Sequence, residues 1–242
     1  MIIEVVVYSI ESALRAQQAG ADRIELCDNP GEGGTTPSFG VLEAVRQNIN
    51  IDLYVMIRPR GGDFVYSNYD FHAMKRDCWQ AMRQSADGVV FGIVTPEGRL
   101  DIKRCKELID RARPMKVTCH RAFDVTRDPF EALEDAIAAG FDRILTSGHR
   151  AKAEENIPLL KQLVEKAGDR ISIMPGAGIT PANAHIILKE TGVQEIHLSA
   201  TGWRPSEMQF IHPDLSKVAG LSDPEIRTVD GDLIRQIRAN GR

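Results

Sequence analysis

One pattern, repeated from end to end, most limits what this 242-residue chain can become: a short β-branched run, a turn rich in Gly, Pro or Ser, then an amphipathic stretch. The apolar runs fall at 3–7, 24–27, 53–57, 88–93, 116–120, 144–146, 171–174 and 195–198. Between them, apolar residues spaced i, i+3, i+4 predict helices over 12–19, 41–47, 71–84, 102–111, 130–139, 153–166 and 182–191. Gly20, Gly140, Gly168 and Gly192 suit helix ends, and Pro129 and Pro181 suit first turns. Strands alternating with helices predict an α/β fold, a (β/α)8 barrel of parallel strands, for which roughly 250 residues is usual. The open doubly wound sheet expects a G-x-G-x-x-G turn after an early strand, and the chain has none, so no nucleotide cofactor is expected. No linker or composition shift divides the sequence, so residues 1–242 are expected to form one domain. An irregular excursion over 201–222 and a last helix near 223–239 complete it.

Composition removes several classes of function. A formal net charge of −4 argues against a nucleic-acid partner, because displacing phosphate counterions takes a basic surface. No apolar run approaches the ~20 residues needed to span a bilayer. The first residues, Met1 to Val7, carry Glu4 and no basic cluster, so they read as a strand rather than a signal peptide. Four scattered cysteines without C-x-x-C spacing are expected to be reduced thiols in the cytoplasm.

Strand parity then selects candidate site residues. Alternate residues of a barrel strand face the lumen, and the aliphatic parity should face the helices. The inward set becomes Glu4, Val6, Tyr8, Glu25, Cys27, Tyr54, Met56, Arg58, Thr118, His120, Ser172, Met174, His197 and Ser199. Barrel interiors are normally filled by Val, Ile and Leu, so two Glu, two His and an Arg there are unusual. Buried charges need partners, and Glu25 with Arg58 on the next strand is an expected pair. These charges lie mostly at strand C-termini, where barrel enzymes keep their sites, although a structural ion network is the plainer alternative.

Three segments carry candidate chemistry. The segment Arg58-Pro59-Arg60-Gly61-Gly62-Asp63-Phe64-Val65-Tyr66 reads as an anion-binding lid or as a tied-down loop, with Arg60 a second fork for the anion. In His120-Arg121-Ala122-Phe123-Asp124, His120 is the candidate for proton transfer and Asp124 its expected orienting partner. Small-residue loops hold Ser147 and Gly148, Gly176 and Gly178, and Ser199. Together with His197, these are candidates for holding an anion, with Thr180 and Pro181 expected to open the following helix.

The same stretches carry a resemblance. Ala21-Asp22-Arg23-Ile24-Glu25-Leu26-Cys27, Glu32-Gly33-Gly34-Thr35-Thr36-Pro37-Ser38, residues 57–67, the His120 to Asp124 segment and Leu145-Thr146-Ser147-Gly148 together resemble the CutC family of copper homeostasis proteins over residues 3–210. The resemblance implies a cytoplasmic (β/α)8 barrel, a homo-oligomer, and Cu(I) bound through cysteines. Cys27 matches one family cysteine; Val6 stands where the proposed first-strand partner would be, leaving Met56 as the other soft donor. The residues themselves support a second expectation of another class. It is an enzyme using acid–base chemistry on a small anionic or phosphorylated metabolite, with Glu25, Arg58, His120 and Asp124 at its centre.

Overall fold

The computed structural model describes residues 1–210, 212–215 and 224–240. Eight strands form one sheet: β1 (Ile2–Val7), β2 (Arg23–Leu26), β3 (Asp52–Met56), β4 (Gly88–Phe91), β5 (Lys116–Cys119), β6 (Arg143–Thr146), β7 (Ser172–Pro175) and β8 (Glu195–Leu198). Their order is β7-β6-β5-β4-β3-β2-β1-β8, and every hydrogen-bonded pair is parallel. Across the remaining seam, Ser172 Oγ of β7 donates to Glu195 Oε1 of β8 at 3.0 Å. The result is a nearly closed (β/α)8 barrel.

The helices are α1 (Ile10–Gln18), α2 (Phe39–Asn48), α3 (Asn68–Arg83), α4 (Ile102–Ala112), α5 (Pro129–Ala139), α6 (Ile157–Ala167), α7 (Ala184–Thr191) and α8 (Gly231–Asn240). Local chemistry sets their ends. Ser67 and Asp70 form a capping box that starts α3, and the Asp128 carboxylate accepts from the Phe130 and Glu131 N–H groups ahead of α5. Gly140 ends α5 at φ 97°, a left-handed conformation that a residue with a Cβ adopts at a cost.

Burial divides by strand parity. Ile3, Val5, Val7, Ile24, Leu26, Val55, Ile57, Val117, Cys119, Ile173, Ile196 and Leu198 join the large apolar layer between sheet and helices. Val6, Cys27, Tyr54, Met56 and Val90 form a separate small cluster inside the barrel, with Tyr8 against it. The expected register is therefore the observed one.

Several boundaries differ from expectation; the helix expected over 153–166 opens as a 3-10 turn at Ala153–Asn156, with α6 beginning at Ile157. The excursion after β8 contains a two-stranded antiparallel ribbon, β9 (Thr201–Pro205) with β10 (Glu225–Val229), so α8 starts only at Gly231. Alternation over so few residues is too short to stand out from a helical period, and residues 211 and 216–223 of the expectation lie outside the described residues. Helix α7 starts at Ala184, because the Asn183 side chain accepts from Thr180 N–H at 2.8 Å and donates to the Gly178 carbonyl at 2.9 Å. Thr180 and Pro181 thus belong to a turn held by Asn183, not to the helix.

Candidate functional site

The barrel floor is an ion network. Arg23 of β2 pairs with Glu4 of β1 and Glu195 of β8, while Arg143 of β6 reaches Glu195 at 2.6 Å and the Thr118 hydroxyl at 3.1 Å. Both guanidiniums lie over the Tyr54 ring, at 4.8 and 5.4 Å from its centroid. Tyr54 has this room because β4 offers Gly88: a Cβ there would stand 2.5 Å from the ring. Two acids and two guanidiniums balance, which is the condition for keeping charges in a low-dielectric interior.

Above this floor the balance ends. Glu4 also accepts a hydrogen bond from His197 Nδ1 at 2.7 Å. Burial alone would raise the Glu4 carboxyl, but His197 and Arg23 outweigh it and hold it at about 2. His197 Nε2 then faces Glu25 Oε2 at 3.7 Å. Burial lifts the Glu25 carboxyl to about 7, with the nearby Glu4 charge adding and His197 opposing. For the His197 ring, burial acts against its charge, yet the Glu4 bond and the Glu25 and Glu4 charges raise its pKa. The ionisations of Glu25 and His197 are therefore coupled.

A cavity of about 120 Å³ opens over this pair at the C-terminal mouth, with Glu25, Arg58, His120 and His197 among its polar lining and Val6, Met56, Phe64 and Leu145 among its apolar walls. Among the described residues, three buried polar atoms of lining residues have no hydrogen-bond partner: Glu25 Oε1, Arg58 Nε and His120 Nε2. Buried polar atoms are normally satisfied, so three orphans among the lining of one cavity mark a place where a ligand or water completes the bonding. A larger depression of about 840 Å³ lies at the strand starts around Asp52, Lys116 and Asp142. Lys116 and Arg113 there already pair with Asp142 at 3.0 and 2.7 Å, and barrel chemistry belongs to the other end. The mouth cavity is the candidate site.

His120 is held in one tautomer. The Ala122 N–H donates to Nδ1 at 3.1 Å, so Nδ1 is the acceptor and Nε2 carries the hydrogen of the neutral ring. Burial, helped by the Arg58 charge, pushes its pKa down to about 3. His120 is thus a neutral donor at the cavity, not a base. It owes its seat to Gly92, where a Cβ would stand 2.6 Å from Ala122 Cβ and 2.9 Å from His120 Nδ1. Phe64 covers it with ring centroids 4.8 Å apart.

The remaining candidates are placed differently from expectation. Arg58 does not pair with Glu25; its Nη atoms donate to the Glu32, Gly34 and Gly62 carbonyls at 2.5–2.9 Å, and among the described residues no carboxylate pairs with it. Arg60 is taken up by its own loop, bonding Asp63 and the Gly61 and Val65 carbonyls over the Tyr66 ring. This is the tied-down version of that loop. Asp124 does not orient His120: it accepts from Thr146, Ser147, His149 and Arg121. Ser147 lies in that network and also donates to the Arg150 carbonyl at 2.5 Å. Gly148 abuts Asn156, and Gly178 abuts Lys152. Gly176 gives space to Leu145 and His197, while Ser199 is exposed. None of Arg60, Asp124, Ser147, Gly148, Gly176, Gly178 and Ser199 lines the mouth cavity.

Cys27 is buried beside the cavity. A Cβ on Gly34 would stand 3.1 Å from its Sγ and 3.6 Å from Met56 Cε, so thiol and thioether share one backbone neighbour. Burial, with the Glu25 and Glu4 charges, holds the thiol well above its usual pKa. All four cysteines are free and buried.

Sequence reasoning missed Arg23, Arg143 and Glu195. Each lies two residues before an inward residue on its own strand, so the same parity marks them; the apolar runs simply began one residue late or were read from their aliphatic members.

Residues 1–202 match the CutC family model. The copper homeostasis protein cutC homolog of Homo sapiens is 47% identical over 240 residues, covering 98% of this chain and 88% of that protein. The chain belongs to the CutC family. A family protein CutC of Chromobacterium violaceum is 48% identical over 209 residues, 86% of this chain and 85% of that one. The crystal structure of the putative copper homeostasis protein CutC from Streptococcus agalactiae superposes with a TM-score of 0.79 at 36% identity, covering 82% of this chain and 98% of that one. Phosphoribosyl anthranilate isomerase of Thermotoga maritima, at 14% identity and TM-score 0.60, shares the barrel fold. Among the described residues, no helix is long and apolar enough to cross a membrane.

Proposed function

We propose that this CutC protein serves copper homeostasis in the cytoplasm, and that its direct contact with copper is one weak Cu(I) site made by the Cys27 thiol and the Met56 thioether. The name carried by its relatives supports the role. The shared approach of Cys27 and Met56 to Gly34 supports the site, because thiolate and thioether are the donors that soft Cu(I) prefers. Val6 adds no donor to the cluster it shares with them. Copper must displace a proton that burial and two acids hold on Cys27, so binding is weak and tightens as pH rises. Competition against a chromophoric Cu(I) chelator tests this. Wild type should withdraw copper and Cys27→Ser should not; no withdrawal by wild type, or equal withdrawal by both, removes the site.

A second reading is favoured by the orphaned Glu25 Oε1, Arg58 Nε and His120 Nε2 of the mouth cavity lining. In this reading the mouth is an acid–base site for a small anionic ligand. The Arg58 charge meets the anion, Glu25 handles the proton and His120 donates a hydrogen bond. Met56 is shared with the cavity lining but Cys27 is not, so substitutions at Cys27 separate the copper site from this one.

A further inference from the structure

The acid–base reading of the mouth can be taken to a substrate class and a reaction step. We propose that the cavity binds a small 2-oxo carboxylate and exchanges a proton at the carbon beside its carbonyl, with Glu25 as the base and His120 as donor to the carbonyl oxygen. This inference rests on the second reading above.

Size sets the first limit. The cavity's volume of about 120 Å³ lies well below the roughly 300–1,000 Å³ usual for ligand pockets, which points to a small ligand. Charge sets the second. Arg58 is 5% exposed, its Nη atoms bond carbonyls and its guanidinium lies over the Phe64 ring, and among the described residues no carboxylate pairs with it, so its charge is left for an anion to meet. The glycine loops that would cradle a phosphate, at Gly176 and Gly178, lie outside the lining, which points to a carboxylate rather than a phosphate ester. The two remaining orphans are of opposite kind: an acceptor, Glu25 Oε1, and a donor, His120 Nε2–H. A donor on the carbonyl oxygen and an acceptor beside the adjacent C–H are what enolisation requires.

The step balances without any oxidant or reductant. The Glu25 carboxylate takes the proton from carbon, the C–H electron pair forms a C=C bond, and the carbonyl π pair moves onto oxygen. The resulting enolate oxygen accepts from His120 Nε2–H. A neutral imidazole suits this role because its hydrogen stays on nitrogen throughout. His197 Nε2, 3.7 Å from Glu25 Oε2 and steadied by Glu4, relays the proton to solvent by first releasing its own and then taking up the one from Glu25. Reversal delivers a solvent proton to the carbon.

Glu25 is faced by Glu4 from β1, Tyr8 just beyond β1, Arg23 from β2, Cys27 just beyond β2, and His197 from β8.

The probes are oxalate, followed by calorimetry, and pyruvate in D2O, followed by loss of the methyl proton signal. Wild type should bind oxalate and exchange the methyl protons. Glu25→Gln should still bind oxalate yet lose exchange by about a hundredfold or more, and His120→Phe should lose about a hundredfold as well. Circular dichroism checks folding, and Glu25→Asp serves as a second variant if Gln does not fold. Oxalate binding without exchange by wild type overturns the inference while leaving the mouth a ligand site. Neither binding nor exchange overturns both. Exchange that survives undiminished in folded Glu25→Gln also overturns the inference.

Discussion

Replacing Glu25 by Gln keeps the shape of the side chain and removes its ionisation, so it isolates the electrostatics of the barrel mouth. Burial raises this carboxyl from 4.5 to about 7. A rise of that size separates the two protonation states by roughly 3 kcal/mol. An acid whose folded pKa lies above its unfolded one holds its proton more tightly when folded. Its stabilising contribution is therefore complete below 4.5 and is lost as pH climbs through about 7. His197, whose pKa is also raised, loses its contribution in the same direction. Wild type should thus be less stable toward urea at about pH 9 than at about pH 5. The Gln variant should lose less over that interval, by up to roughly 3 kcal/mol, since only His197 and more distant groups still titrate. The assay is equilibrium urea unfolding of both proteins at both pH values, compared by midpoint at constant slope. Parallel losses in the two proteins would show that Glu25 titrates like an exposed carboxylate, and the electrostatic description of the site would fall.

Other expectations concern the parts that support the site. Glu195→Gln leaves Arg23 and Arg143 short of a negative charge in the barrel floor, so it should cost about 3–5 kcal/mol in urea unfolding. Gly88→Ala places a Cβ 2.5 Å from the Tyr54 ring, and overpacking of this kind should cost about 1–3 kcal/mol by the same measurement. Arg58→Met removes the donors to the Glu32, Gly34 and Gly62 carbonyls, so the loop over 59–66 should become the first site cut in limited proteolysis. Equal cleavage of wild type and variant would deny Arg58 that tethering role.

The parity of each strand was legible in the sequence, because a two-residue period carries the same apolar signal wherever the strand lies. It placed Glu25, His120 and His197 in the lumen, and the cavity lining contains all three. Partnerships were not legible. Asp124 is four residues from His120, but its carboxylate is spent on Thr146, Ser147 and His149 from the next strand and loop. Arg58 looked like a match for Glu25 by strand adjacency, yet its Nη atoms go to loop carbonyls. Helix starts were readable where a cap is local, as with Asp128, and misplaced where a tertiary bond decides, as with Asn183, which reaches Glu154 at 2.7 Å.

By itself, the order of residues determined that eight strands would alternate with helices, which face of each strand would be apolar, and that acids, imidazoles and a guanidinium would share the interior. Those outcomes follow from local periodicity and from the cost of exposing aliphatic surface to water. Only the tertiary structure decided which buried charges meet and which stay unpaired. That choice depends on the stagger between strands and on where loops return over the mouth, and neither leaves a trace in the spacing along a single strand.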